Sequence, residues 1–264
     1  MYRARQMRCD VRIETEDASR SREARTAASR FGLCTTQAES NVGDALILAM
    51  RDDGWELRDA SMRPGRGLCI DFTALAKRSP RRVNLSRRQP LLRAVGRESR
   101  SVIDATAGLG HDAALLAAMG LNVTAIERSA ILALMLEEAL QRADADERAA
   151  RLLGDRLRIV HGDARTLLTS GGLKADCIYL DPMFPPKRRK SALAGKEIRL
   201  VRALVGDDDD AAELLAIARR CAPRVAVKRP RHAQPLATDV HATIKSTLMR
   251  YDIYMSGEVS TSSG

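Results

Sequence analysis

Ser101-Val102-Ile103-Asp104-Ala105-Thr106-Ala107-Gly108-Leu109-Gly110-His111-Asp112 begins as a short apolar run, breaks at a glycine turn and leads into the helix-forming stretch Ala113 to Met119. A buried strand, a tight turn and a helix in that order open a βαβ unit. Gly108 and Gly110 let the chain turn sharply and let a ligand approach the backbone with no Cβ in the way. Asn122 to Ile126 is a second strand, ending in Glu127-Arg128. An acid at that tip is placed to accept hydrogen bonds from ribose hydroxyls. The run from Gly108 to Ala113 also satisfies G-x-G-x-x-G/A, which by itself does not separate a nicotinamide dinucleotide from another adenosine cofactor.

Later loops narrow that choice. Arg156 to Val160 is a strand leading into His161-Gly162-Asp163-Ala164. Asp163 suits an N-cap for the next helix and equally an acceptor for an adenine amine; a carboxylate has lone pairs for both. Ala175 to Leu180 reads as a buried parallel strand. It delivers Leu180-Asp181-Pro182-Met183-Phe184-Pro185-Pro186 into the basic cluster Lys187-Arg188-Arg189-Lys190. Prolines make that exit a rigid loop. An acid and a main-chain carbonyl there can hold an exocyclic amine while the Phe184 ring stacks on its base. An acid-proline pair alone is also an ordinary turn, as is an acid at Asp104. Together they say more. Asp104, four residues before Gly108, makes the acid-x-x-x-Gly-x-Gly form typical of S-adenosylmethionine enzymes. Asp181-Pro182-Met183-Phe184 resembles the Asp/Asn-Pro-Pro-aromatic motif of methyltransferases acting on base amines, with Met183 in place of the second proline.

The chain as a whole resembles the ribosomal small-subunit methyltransferase J family. The resemblance is carried by Asp104 to Gly110, Glu127-Arg128, Leu180 to Pro185, Ser191-Ala192-Leu193, Val227-Lys228-Arg229-Pro230 and Tyr251-Asp252-Ile253-Tyr254, and more weakly by Arg30 to Leu33 and Leu68 to Phe72. It implies a Rossmann-like class I S-adenosylmethionine-dependent methyltransferase, of α/β class. The implied reaction is methylation of a guanine N2 near the 3′ end of 16S rRNA. It places cofactor contacts at His111, Asp112, Glu127, Arg128, Asp163, Ala164 and Asp181, beside the motif residues Asp104, Gly108 and Gly110. The family usually has arginine where this chain has His111, and a glycine-rich stretch where it has Val83 to Pro90. Asp181, the Pro182 carbonyl and Phe184 are the expected catalytic groups. Adenine N6 is an alternative target, since an amine-binding loop serves either base. A silent RNA-binding assembly factor is another. A nicotinamide dehydrogenase shares the glycine turn but leaves the Asp181 loop and the basic segment unexplained.

Charge supports a polyanionic partner. The 264 residues carry a net charge of +10. Residues 1–100 hold 21 Lys/Arg against 13 Asp/Glu, and residues 101–264 hold 23 against 21. Between Lys77 and Arg100 nine basic residues meet one acid, Glu98. Such a run is either a solvated linker or a phosphate-binding segment. Arg81, Arg82, Arg87 and Arg88 are candidate RNA contacts there. Lys187, Arg188, Arg189, Lys190, Lys228 and Arg229 are candidates nearer the base. The five cysteines show no C-x-x-C pair and the four histidines are scattered, so no metal site is expected. No apolar run spans a membrane and no signal-peptide core is visible, which fits a cytoplasmic protein. Nothing in the sequence sets an oligomeric state.

The expected organisation is a basic, flexible leader over 1–26, a small α+β lobe over 27–76, a basic linker over 77–100, a methyltransferase domain over 101–256 and a tail over 257–264. In the lobe, Ala45 to Met50, Trp55 to Arg58 and Leu68 to Phe72 read as strands. Ile131 to Leu140 reads as an apolar packing helix. Asp207 to Asp210 is an acid set favourable to the dipole of helix Ala211 to Arg220. Thr243 to Leu248 and Arg250 to Tyr254 are expected to close the sheet as an antiparallel pair.

Overall fold

A computed structural model of the chain describes residues 11–15, 21–33, 46–77, 86, 88–183, 196–206 and 209–256. The first part builds a four-stranded sheet. Strand β1 (Val11–Thr15) pairs parallel with β2 (Leu46–Arg51), and helix α1 (Ser21–Arg30) lies between them in sequence. Strands β3 (Gly54–Asp59) and β4 (Leu68–Cys69) add antiparallel. The turn between β2 and β3 uses Gly54 at φ 113°. Two features differ from the expected leader and lobe. Residues 11–15 form a strand and α1 begins at Ser21, both inside the stretch expected to be a flexible leader. Strand β4 is only two residues long, because Asp71 accepts the Thr73 N–H at 2.9 Å and starts helix α2 (Thr73–Lys77). Helix α3 (Pro90–Val95) then opens with proline in its first turn, where the missing N–H costs nothing.

The second part is a seven-stranded sheet. In chain order it comprises β5 (Ser101–Asp104), α4 (His111–Ala118), β6 (Asn122–Glu127), α5 (Ala130–Ala145), α6 (Glu147–Leu153), β7 (Leu157–His161), α7 (Ala164–Thr169), β8 (Cys177–Leu180), α8 (Lys196–Val205), α9 (Ala211–Cys221), β9 (Arg224–Pro230), β10 (Ala242–Lys245) and β11 (Met249–Met255). The strand order is β10-β11-β9-β8-β5-β6-β7. Strands β5 to β9 are parallel; β11 runs antiparallel to β9, and β10 to β11. The closing pair therefore forms as its sequence indicates. Strand β8 reads Cys-Ile-Tyr-Leu with all four residues buried, as a strand covered on both faces must. After β7 the chain crosses back over β5 to place β8 on its other side. This is the topological switch at which open α/β sheets bind ligands, beyond the strands' carboxyl ends.

The two sheets share one apolar core. Leu48, Trp55, Leu57 and Phe72 of the first part cluster with Leu132, Met135 and Leu136 of α5. Arg142, also on α5, donates to the Ile70 carbonyl at 2.5 Å and to Glu138 at 2.6 Å. Among the described residues, no helix is long and apolar enough to cross a membrane.

Candidate active site

Three loops at the carboxyl ends of β5, β6 and β7 shape a cleft, and the loop after β8 closes one side. Asp104 ends β5, is buried and accepts the Thr106 N–H at 3.1 Å. The Thr106 hydroxyl in turn accepts the Asp181 N–H at 2.6 Å, tying the β5 loop to the β8 loop. Gly108 sits at φ 55°, and a Cβ there would meet nothing closer than the Thr106 carbonyl at 3.8 Å, so its open side faces the cleft it lines. Its N–H donates to Glu127 Oε2 at 2.8 Å, while Glu127 Oε1 accepts the Ser129 N–H at 2.7 Å. Asp163 caps α7 by accepting the Arg165 N–H at 2.9 Å. The Arg165 guanidinium bonds its carboxylate as well and holds it below its ordinary pKa. Asp210 joins Arg128 at 3.0 Å and Arg165 at 3.2 Å, and Glu213 joins Arg165 at 2.8 Å. Ile126, Leu132, Ala164, Val201, Val205 and Leu214 supply the apolar lining. Polar groups at fixed points in an apolar cleft suit an adenosine-type ligand.

Beside the cleft lies a group of carboxylates of a different kind. Tyr179 and Asp181 are two residues apart and so share one face of the sheet. Lys228 faces Asp181 from β9, because the ladder pairs Leu180 with Val227. Its ammonium donates to Asp181 Oδ2 and to Asp112 Oδ2, both at 2.8 Å. The Tyr179 hydroxyl donates to the same Asp112 oxygen at 2.5 Å. Burial pushes the Asp104 carboxyl up to about 8, with the Asp112 and Asp181 charges adding to it. Burial works against the Lys228 charge, but Asp181 and Asp112 more than offset it and raise its pKa. Burial also raises the hydroxyls of Tyr179, strongly, and of Tyr251, to about 12.

Comparison with known proteins places this architecture. A family profile described as "Putative SAM-dependent methyltransferase" matches residues 27–256. A protein of Chromohalobacter salexigens named ribosomal RNA small subunit methyltransferase J is 41% identical over 240 residues, covering 88% of this chain and 93% of its own. The chain belongs to the ribosomal RNA small subunit methyltransferase J family. A Thioalkalivibrio sulfidiphilus protein of the same name is 39% identical, covering 94% of this chain and 99% of its own. The crystal structure of a SAM-dependent methyltransferase from Neisseria gonorrhoeae superposes with a TM-score of 0.68 at 27% identity, covering 94% of this chain and 96% of that one.

As a member of this S-adenosylmethionine-dependent family, the chain offers residues that fit the cofactor. Gly108 leaves open space, Glu127 and Asp163 stand at two successive strand ends, and the wall between them is apolar. Of the residues expected from sequence, Gly108, Glu127, Arg128, Asp163, Ala164, Asp181 and Pro182 line the cleft, and Asp104 lies buried under it. Five depart from expectation. A Cβ on Gly110 would lie 2.6 Å from Leu136 of α5 and 2.8 Å from Phe72, so this glycine makes room for side-chain packing, and it does not line the cleft. His111 starts α4 exposed, and neither it nor Asp112 lines the cleft. Lys228, expected on phosphate, directs its ammonium to Asp112 and Asp181. Arg229, also expected on phosphate, is buried and donates to the Gln234 carbonyl. Arg88 is exposed. Phe184, Lys187, Arg188, Arg189, Lys190, Arg81, Arg82 and Arg87 lie outside the described residues.

Some site residues gave no recognisable signal. Thr106 lies inside the glycine-turn motif, which marks no role for it; Arg165 carries no motif, and Asp210 reads in sequence only as a helix-dipole acid. Val201 and Val205 of α8, which wall the cleft, likewise do not stand out in the sequence.

Proposed function

We propose that this chain transfers a methyl group from S-adenosylmethionine to the N2 amine of a guanine near the 3′ end of small-subunit rRNA, as a cytoplasmic enzyme acting on that RNA or its particle. The observation that carries this reading is Asp181. It stands at the carboxyl end of β8, lines the cofactor cleft and is followed by Pro182 in a loop of the amine-methyltransferase type. The relatives' printed name supplies the small-subunit rRNA; guanine N2 follows from the family resemblance.

Guanine N2 is a weak nucleophile because its lone pair is delocalised into the ring. The protein's task is to hold that nitrogen at near-attack distance and in line. When bound, S-adenosylmethionine supplies a methyl group on a positively charged sulfur. Glu127 and Asp163 hold the nucleoside end, and Gly108 admits it close to the backbone. The Asp181 carboxylate accepts one N2–H, and the Pro182 carbonyl accepts the second. Together they orient the lone pair and offset the positive charge that grows on nitrogen. Phe184 stacks on the flipped base. The basic residues of 77–100 and 187–190 bind flanking phosphates, which position the strand without reading it.

The test is methyl incorporation from labelled S-adenosylmethionine into small-subunit RNA and particles, comparing the natural chain with Asp181→Asn. Turnover should fall by about 100-fold or more, the size typical of losing one preorganised group at a developing charge. Cofactor affinity should stay within about threefold. Near-natural turnover in Asp181→Asn contradicts the assignment.

A further inference from the structure

Among the described candidate phosphate contacts, Lys228 is turned inward onto an acid of the site. Its side chain is only 21% exposed, and its two ion-pair partners come from different elements, Asp112 from the first turn of α4 and Asp181 from the loop after β8. Each partner is itself tied to the sheet. The Asp112 carboxylate takes the Tyr179 hydroxyl, and the Asp181 backbone N–H is held by Thr106. A lysine on a strand rim normally extends its ammonium into water. Here the ammonium instead spans two carboxylates, and both contacts fall on the Oδ2 atoms.

We propose that Lys228 is a positioning residue for methyl transfer: its ammonium, anchored by Asp112, fixes the Asp181 carboxylate through Oδ2 in the orientation that receives the target amine. This rests on the reading of Asp181 as the amine-binding acid. Described groups near Asp181 include Lys228 from β9, Asp112 from α4, Tyr179 from β8, Asp104 from β5 and Tyr251 from β11, and the Lys228 ammonium is placed between the Asp112 and Asp181 carboxylates. Asp112 and Tyr179 then act behind Lys228, holding the ammonium over Asp181 instead of letting it swing out to solvent. The sequence indicates none of this, because strand β9 reads as carrying its lysine into a basic surface patch.

The full chain carrying Lys228→Met, with Lys228→Gln as a second variant in case the first does not fold, tests the proposal beside Asp181→Asn. Cofactor affinity, measured by calorimetry, should stay within about threefold in both lysine variants, because Lys228 does not line the cleft. Turnover on small-subunit RNA should fall about 10- to 100-fold with KM for RNA little changed, a size typical of removing a partner that orients a ligating side chain. Lys228→Arg should recover most of the turnover. The opposite pattern overturns the proposal: unchanged turnover, raised KM and a salt slope reduced by about one unit would make Lys228 a phosphate contact. Retained turnover in Asp181→Asn breaks the underlying reading of the site instead. Only a dead Asp181→Asn beside a fully active Lys228→Met isolates the failure to Lys228.

Discussion

The acids of the cofactor cleft and those around Asp181 are held in opposite ways. In the cleft, Asp163 and Glu127 each accept a backbone N–H from two residues ahead, in Arg165 and Ser129. These are local turns that the sequence encodes within a few positions. Around Asp181, the partners are side chains 47 and 116 positions apart in sequence, joined through Lys228. Each of these cleft acids thus has a holding bond within its own loop, besides the longer-range contacts it shares, whereas the amine side exists only when β8, β9 and α4 have packed together. Substitutions in the cleft should act on ligand affinity and local stability. Substitutions on the amine side should act on turnover.

Glu127→Ala should have the largest effect of the cleft changes. It leaves the Gly108 and Ser129 N–H groups without this acceptor and costs about 3 kcal/mol of stability, together with a loss of S-adenosylmethionine affinity of about tenfold or more. Denaturant unfolding and calorimetry on the same sample check both; unchanged affinity would break the division between the two regions. Gly110→Ala should cost about 2 kcal/mol in denaturant unfolding, through its left-handed backbone and its contact with Phe72. Gly108→Ala, also at positive φ but with open space, should lose less stability and more cofactor affinity.

A pH comparison sharpens the contrast further. Folded Asp104 keeps its proton up to about pH 8, whereas an ordinary aspartate releases it near 3.8. Between those values the folded state binds the extra proton, so this group's contribution is full below the lower value and is lost as pH rises through the upper one. Asp163 runs the other way. Arg165 holds its carboxyl below the ordinary range, so its contribution is present at neutral pH and is lost as pH falls through its lowered value. Asp104→Asn should therefore flatten the fall in stability between about pH 4 and pH 8, measured by thermal unfolding across that window. The smallest effect belongs to Arg165→Ala. This partly exposed ion-pair hub should cost no more than about 1 kcal/mol in denaturant unfolding, less at high salt.

This division also explains what was legible in the sequence. The parallel sheet could be read because each of its strands ends in a marked turn, and Asp104, Glu127, Asp163 and Asp181 are the residues at those ends. The closing β10-β11 pair is expected because methyltransferase sheets commonly carry one, and the two segments form it. Residues 11–15 escaped because five residues rich in charge say little until β2 is beside them. Lys228 was misread for the same reason. Its charge is plain in sequence, but its direction is set by the register of β9 against β8 and by Asp112 reaching in from α4. Gly110 fitted a ligand-binding pattern, and only the position of Phe72 shows that it serves packing.

The central claim is a methyl transfer to guanine N2 made possible by Asp181. The direct measurement is to incubate small-subunit RNA with the natural chain and labelled S-adenosylmethionine, digest it to nucleosides and identify the labelled one by mass spectrometry. The account predicts N2-methylguanosine near the 3′ end, absent when Asp181→Asn replaces the natural chain. Label in N6-methyladenosine, or none in any RNA or particle, would contradict it.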